Sequence, residues 1–236
     1  MGALMRTDPL PRALLDELGY VDACTVANAI ETFDVRLRNV GFAGSSVHCM
    51  FTELPPLVGY AATARIRTSE PPMEGHIYHG RTDWWDHILS IPAPRVVVVQ
   101  DIDKYPGLGA FVGEVHANIL LALGCAGLVT NGSVRDLPDV RAAGFRLFAG
   151  CVSVSHAYAH VFDFGGPVEI GRMKVKPGDL IHGDRHGVQT IPLDIAAKIP
   201  GVAQRIRKNE ERLIALTRTA GVTPEDLREG IRESNS

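Results

Sequence analysis

The most constraining feature of this chain is the segment Arg95–Asp101, RVVVVQD. Side chains alternate between the two faces of a strand, so four valines in a row place apolar groups on both. Such a strand is stable only where both faces are covered, as in the inner strands of a sheet layered with other elements. The surrounding chain supplies candidate layers. A stripe of Leu14, Leu15, Leu18, Val21 and Ala23 predicts helix over residues 10–33, with Gly19 a candidate interruption. Residues 58–66 read as a strand of small residues, 68–81 as loop and 83–89 as a short helix. A compact unit follows: helix over 114–123, strand over 126–130, an Asn131-Gly132 turn, helix over 137–143 and strand over 145–148. Strand-like segments continue at 152–154 and 168–175; a turn at Lys176-Pro177-Gly178-Asp179 leads into 180–182, and 187–191 follows. Helix resumes near Asp194 and runs to Thr219, with Pro200-Gly201 a candidate break. Thr223, Pro224 and Asp226 form a start signal for a last helix. Helices and strands interleave with no linker, repeat or low-complexity tract, so the chain reads as α/β and as one domain over 1–236.

Composition narrows the function classes. Hydrophobic residues make up 45% and charged residues 22%, enough for a full core without staples. A formal net charge of −3 argues against nucleic acid or an anionic membrane as partner. No stretch approaches the roughly 18 apolar residues of a membrane span. The opening MGALMRTDPLPRALL lacks the apolar core of a signal peptide, so a cytoplasmic protein is expected. Cys24, Cys49, Cys125 and Cys151 form no CxxC pair, and each has apolar neighbours. They are expected to be reduced and buried.

Chemistry concentrates in Gly113–Asn118 and Asn131–Asp136. Gly113 lets the chain turn sharply into a helix, whose first amides, near Val115 and His116, have no intrahelical acceptor. Those amides and the positive dipole end suit an anion. The strand before Asn131 ends in a turn presenting Arg135 and Asp136. Arginine suits forked binding of a carboxylate, and aspartate is a hard oxygen ligand for Mg²⁺ or Mn²⁺. From spacing alone, a solvated turn with a local ion pair is the competing account.

Gly113-Glu114, twenty residues, Arg135-Asp136 and then Asp139 together resemble the signature of one family. It contains class II pyruvate aldolases acting on 4-hydroxy-4-methyl-2-oxoglutarate and related acids, and the RraA-type regulators of ribonuclease E. Val58-Gly59-Tyr60-Ala61-Ala62-Thr63-Ala64 resembles the family's early strand. Lys176–Leu180 and His186-Gly187-Val188 resemble its late strand pair, giving a core of about 20–215 with a helical C-terminal tail over 194–236. The resemblance implies a β/β/α sandwich of the swivelling phosphohistidine-domain type, assembled as a homotrimer or dimer of trimers. It implies that Asp136 holds Mg²⁺ or Mn²⁺, and that Gly113, Arg135 and the amides of Val115 and His116 hold the pyruvate part of a small 2-oxo acid. Glu114 would orient a water. An acidic residue from a neighbouring copy's C-terminal helix, Glu210 or alternatively Glu211, would complete the site. The implied activity is retro-aldol cleavage to pyruvate, with oxaloacetate decarboxylation through the same enolate. The alternative is a non-catalytic regulator binding ribonuclease E or another protein. The chain departs from common aldolase forms at His116 and over His182–His186.

Other motifs give less. The close pairs His76/His79, His156/His160 and His182/His186 lack zinc-site spacing. His182, Asp184 and His186 alternate along a strand, either on a wet sheet face or lining a pocket. Trp84-Trp85 suits a packing anchor or subunit contact. Residues 107–113, GLGAFVG, do not match a dinucleotide loop. Residues 205–208 read as a solvated helix face.

Overall fold

The computed structural model describes residues 9–73 and 82–234. Residues 1–8, the pair His76/His79 and the 74–81 part of the expected loop lie outside the described residues. In chain order the elements begin with helices α1 (Arg12–Leu18) and α2 (Ala23–Glu31), strands β1 (His48–Cys49) and β2 (Leu57–Arg67), and helix α3 (Asp83–Ser90). Next come β3 (Arg95–Asp101), β4 (Ala110–Val112), α4 (Glu114–Ala122), β5 (Cys125–Thr130), β6 (Ser133–Val134) and α5 (Leu137–Ala142). Then follow β7 (Arg146–Ala149), β8 (Cys151–Val152), β9 (His160–Phe164), β10 (Val168–Ile170), β11 (Met173–Val175), β12 (Leu180–Asp184) and β13 (Gly187–Ile191). A 3₁₀ turn (Ala196–Lys198) leads into α6 (Ile199–Thr217), and α7 (Pro224–Ser234) ends the described chain.

The fold is mixed α/β. The valine strand β3 lies inside an eight-stranded sheet of order β1-β7-β5-β3-β2-β12-β13. Strands β2, β3, β5 and β7 run parallel, and antiparallel strands close the sheet at both ends. The eighth strand, β9, pairs with the Ala64–Arg67 end of β2, while β12 pairs with its Leu57–Tyr60 end. The valines divide as the alternation requires. Val97 and Val99 join a core with residues of α1, α2, α4 and α6. Val96 and Val98 join a second core with Val168, Ile170, Met173 and Val175 of the β10–β11 hairpin. The covering layers are therefore helices on one face and a hairpin on the other. Each buried valine contributes about 1.5–3 kcal/mol relative to exposure.

The expected first helix is two helices. Gly19 follows α1, and Asp22 starts α2 by accepting bonds from the Thr25 amide (2.9 Å) and hydroxyl (2.7 Å). Pro200-Gly201 does not break α6; it sits in the first turn, where a missing amide costs nothing. The Thr223–Asp226 capping box forms as expected. Trp84 is a buried packing anchor, with Trp85 partly buried against the same core. Within residues 205–208 the solvated-face expectation holds only in part, because Arg207 reaches back to Asp22 at 2.6 Å. Among the described residues no helix is long and apolar enough to cross a membrane.

Candidate active site

Two of the parallel strands carry short continuations. Strand β5 leads through Gly132 into β6, and β7 through Gly150 into β8. With β4 they form a small parallel sheet of order β4-β6-β8 at the carboxyl ends of the main strands. Ligand sites in α/β sheets favour this end. The junction is fixed by a residue that sequence reasoning treated only as turn: the Asn131 amide group donates to the Asp101 carbonyl (2.9 Å) and accepts from the Asp101 N–H (2.8 Å). Asp101 itself is buried and accepts from the Gly107 amide. The aspartate ending the valine run was the one available sign of this junction.

The small sheet brings Gly113, Glu114, Arg135 and Asp136 together. The Arg135 amide donates to the Val112 carbonyl at 3.0 Å, pinning the turn after β6 to the end of β4. Asp136 takes the left-handed backbone region, φ +52°. It precedes α5 yet makes no side-chain cap there. Its Oδ2 instead accepts from the Glu114 amide at 3.1 Å, at the start of α4. The same oxygen lies 3.3 Å from Arg135 Nε. That distance suits an ion pair, but the N–H direction misses, and Nε is buried without a hydrogen-bond partner. Arg135 also reaches the Val154 carbonyl at a long 3.4 Å. Among the described residues Asp136 Oδ1 has no hydrogen-bond donor, and the two side chains remain about a third exposed, at 32% and 35%.

Gly113 needs a different explanation from the expected sharp turn. Its φ of −128° and ψ of −162° are extended backbone open to any residue. The requirement is space: a Cβ there would stand 2.3 Å from Asp136 Oδ2 and 3.0 Å from Arg135 Cγ. The first i→i−4 bond of α4 runs from the Ala117 amide to the Gly113 carbonyl, which leaves the amides of Val115 and His116 without an intrahelical acceptor. The His116 side chain turns away from solvent, with Nδ1 3.0 Å from the Phe111 carbonyl and its ring edge-on to Phe111. Desolvation holds that imidazole below its ordinary pKa.

Glu210 and Glu211 are not brought into this cluster. Both are exposed on α6, which packs against α1, α2 and α7. Among the described residues no three His, Cys, Asp or Glu side chains converge as a ready metal cage. Asp136 alone still fits Mg²⁺ or Mn²⁺, because one of its oxygens is held while the other has no hydrogen-bond donor among the described residues. A single carboxylate with waters is an ordinary arrangement for such ions.

Several expectations change here. His182 is 0% exposed rather than on a wet face; its Nε2 lies 3.0 Å from the Val21 carbonyl and 3.2 Å from that of Leu18. Asp184 is buried as well, accepting from the Ala23 amide (2.9 Å) and the His186 amide (2.8 Å). They face inward because α2 lies over that side of β12. Only His186 of the three lines a cleft, a space of about 180 Å³ between α2, residues 36–43 and β13, away from Arg135 and Asp136. His156 and His160 each turn Nδ1 to a backbone carbonyl, in a turn and at the start of β9. The four cysteines are free, but Cys24 and Cys151 are exposed. Apolar sequence neighbours did not bury them, since one opens the first turn of α2 and the other lies in a two-residue edge strand. Cys125 is buried, which pushes its thiol up to about 12.

A family model described as RraA-like, Aldolase/RraA, matches residues 23–189. The chain belongs to the RraA-like family. This RraA-like chain is 24% identical over 230 residues to Protein DlpA of Legionella pneumophila, which covers 96% of the chain and 35% of DlpA. It is 32% identical over 101 residues to a protein of Halalkalibacterium halodurans named as a 4-hydroxy-4-methyl-2-oxoglutarate aldolase, covering 42% of the chain and 48% of that protein. The chain thus spans 35% and 48% of the lengths of these two relatives. Among solved structures, an uncharacterized protein from Pseudomonas syringae pv. tomato superposes with TM-score 0.71 at 21% identity, covering 97% of this chain and 99% of that one. A Streptomyces coelicolor protein, described as an unusual member of the ribonuclease ES inhibitor RraA family, gives 0.67 at 22% identity, covering 87% and 97%. These two likenesses are likenesses of fold.

Proposed function

We propose that this RraA-like protein is a divalent-metal-dependent lyase that cleaves a small 2-oxo acid to pyruvate by a retro-aldol reaction, and that it also decarboxylates oxaloacetate. The supporting observation is the Arg135–Asp136 pair at the start of α4, with Asp136 held through one oxygen only and Arg135 Nε unsatisfied. A buried donor without a partner, such as Arg135 Nε, calls for an explanation, and a ligand beside it supplies one. On this reading Asp136 holds Mg²⁺ or Mn²⁺, which when bound supplies Lewis acidity toward the 2-oxo group. The amides of Val115 and His116 hold the substrate carboxylate at the positive end of α4. Arg135 presents a planar fork to the carboxylate and to the negative charge that develops at the keto oxygen as the C3–C4 bond breaks. The bond's electrons remain with the pyruvate enolate, the C4 hydroxyl loses its proton, and C3 gains one. Glu114, exposed on the first turn of α4, delivers the C3 proton through a water. Glu210 of a neighbouring copy completes the proton-transfer network, so the working form is an oligomer, and the family resemblance makes it a homotrimer or a dimer of trimers.

The test is pyruvate release from oxaloacetate with Mg²⁺, with and without chelator. Metal-dependent release supports the lyase. Absence of release from every 2-oxo acid tried, with binding to ribonuclease E, favours the regulator. Mixing Asp136→Ala with Glu210→Ala under subunit exchange restores part of the activity if sites are shared. Full activity of Glu210→Ala alone removes that residue from the mechanism, and the parallel mix with Glu211→Ala tests the other assignment.

A further inference from the structure

Two imidazoles hold the backbone of β4. Strand β4 ends its small sheet, with β6 on one side only. The carbonyls of its first two residues accept from histidines: His156 Nδ1 lies 3.0 Å from the Ala110 oxygen, and His116 Nδ1 lies 3.0 Å from the Phe111 oxygen. The two bonds differ in what they anchor. His156 belongs to the irregular segment after β8, whose Ser155 carbonyl also accepts from the Ala110 amide at 2.8 Å. His116 is the third residue of α4 and reaches back across the helix start. Its ring also meets Phe111 edge-on, with centroids 4.8 Å apart and planes at 71°. Because a carbonyl only accepts, Nδ1 of His116 must carry the proton.

We propose that His116 is a positioning residue: its Nδ1–H bond to the Phe111 carbonyl locks the first turn of α4 onto β4 and so fixes the direction of the Val115 and His116 amides. This rests on the reading of those amides as the carboxylate site. The argument is geometric. Without the tie, the turn between Val112 and Ala117 is held by the Ala117–Gly113 bond, the Asn118 side chain on the Glu114 carbonyl, the Arg135 amide on the Val112 carbonyl and the Glu114–Asp136 bond. Of these, the tie from the first helical amide ends on the carboxylate assigned to the metal. The imidazole ties a side chain of α4 itself to β4 without depending on that group. An apolar side chain at position 116 fills the same space against Phe111 but offers no donor, and the turn is then free to tilt. Binding of a carboxylate to the amides is shared by ground and transition states, so the tilt appears in KM more than in kcat.

The experiment compares His116→Leu with His116→Asn. The asparagine Nδ2 stands close to where imidazole Nδ1 does and can donate to the same carbonyl. His116→Leu should raise the KM for oxaloacetate and weaken pyruvate binding by calorimetry at least about fivefold, with kcat within about twofold. His116→Asn should recover most of the affinity. Equal affinity in His116→Leu and wild type, or equal loss in the two variants, overturns the proposal. A second readout needs no substrate. ¹⁵N spectra at neutral pH should show the His116 proton on Nδ1. The amide resonances of Glu114 and Val115 should move in His116→Leu and return in His116→Asn. A proton on Nε2, or unmoved amides, overturns the proposal on structural grounds. If the spectra agree and wild type neither binds pyruvate nor acts on oxaloacetate, the positioning role stands and the lyase reading falls.

Discussion

Asp136 and Asp184 are built alike. Asp184 ends β12 and Asp136 follows β6 by two residues; each stands beside a basic side chain and accepts a bond from the first amide of a helix, Glu114 of α4 for Asp136 and Ala23 of α2 for Asp184. They differ in saturation. Asp184 is buried, with Oδ2 on Ala23 and Oδ1 shared by the amide and ring of His186. Asp136 is a third exposed and commits one oxygen. A buried acceptor that is fully used ties elements together, and removing it leaves donors stranded. A partly used acceptor in reach of solvent is available to an ion or a ligand. The same local device is therefore a fastener in one region and a candidate binding group in the other.

That contrast can be broken first by truncating both. Asp136→Ala should lower metal-dependent pyruvate release at least about 100-fold, ~2.7 kcal/mol of transition-state stabilisation, while the thermal midpoint hardly moves. Asp184→Ala should do the reverse. Stranding the Ala23 and His186 amides should cost about 2 kcal/mol in urea unfolding, with kcat of the folded protein unchanged. If both variants lose stability and keep activity, the two carboxylates are alike after all. Arg135→Lys sharpens the comparison within the first region. It keeps the charge but loses the fork, so a drop of about tenfold, ~1.4 kcal/mol, is expected in kcat/KM. Near-wild-type kinetics would make Arg135 a structural partner.

Acid probes the second region by another route. Desolvation holds His87, His116 and His182 below their ordinary pKa, so each takes up a proton less readily in the folded chain than once unfolded. The unfolded chain therefore binds more protons below about pH 6.5, and stability should fall as pH drops through that value. The slope is at most about 1.4 kcal/mol per pH unit for each histidine. His182→Gln keeps a donor near Nε2 and cannot titrate, so melts from pH 7.5 to 5.5 should show a flatter decline than wild type. An unchanged slope would assign the acid sensitivity elsewhere.

Much of this architecture could be read from local pattern. The valine run, the Glu114 helix, the capping box at Thr223 and the hairpin of β12 and β13 are short-range features, and they appear within a residue or two of expectation. Gly113, Glu114, Arg135 and Asp136 were legible as a group, through spacing and family resemblance. What sequence did not carry was direction. Nothing local says that Asp136 turns from its own helix toward α4, or that His182 points under the α1–α2 turn. The need for Gly113 was legible but its reason was not, because the clash it avoids lies with a residue more than twenty positions away. The Val154 carbonyl beside Arg135 and the Asn131–Asp101 pairing had no sequence signal beyond residue type, since both depend on loops folding back across the small sheet.

The short strands that follow β5 and β7 have a mechanical consequence. The strands of the main sheet act as rails, and Gly132 and Gly150 are couplings too tight to slip: a Cβ at position 150 would meet the Asn131 oxygen at 2.4 Å. A shift of β5 along its neighbours would carry Gly132 and the turn holding Arg135 with it. One residue of register is about 3.3 Å, and an offset near 1 Å at reacting atoms can cost on the order of 100-fold in rate. The alignment of the site thus depends on the valine layer, whose side chains make no contact with substrate on this reading. Softening that layer, as in Val98→Ala or Val129→Ala, would register as lost turnover before the fold itself gave way.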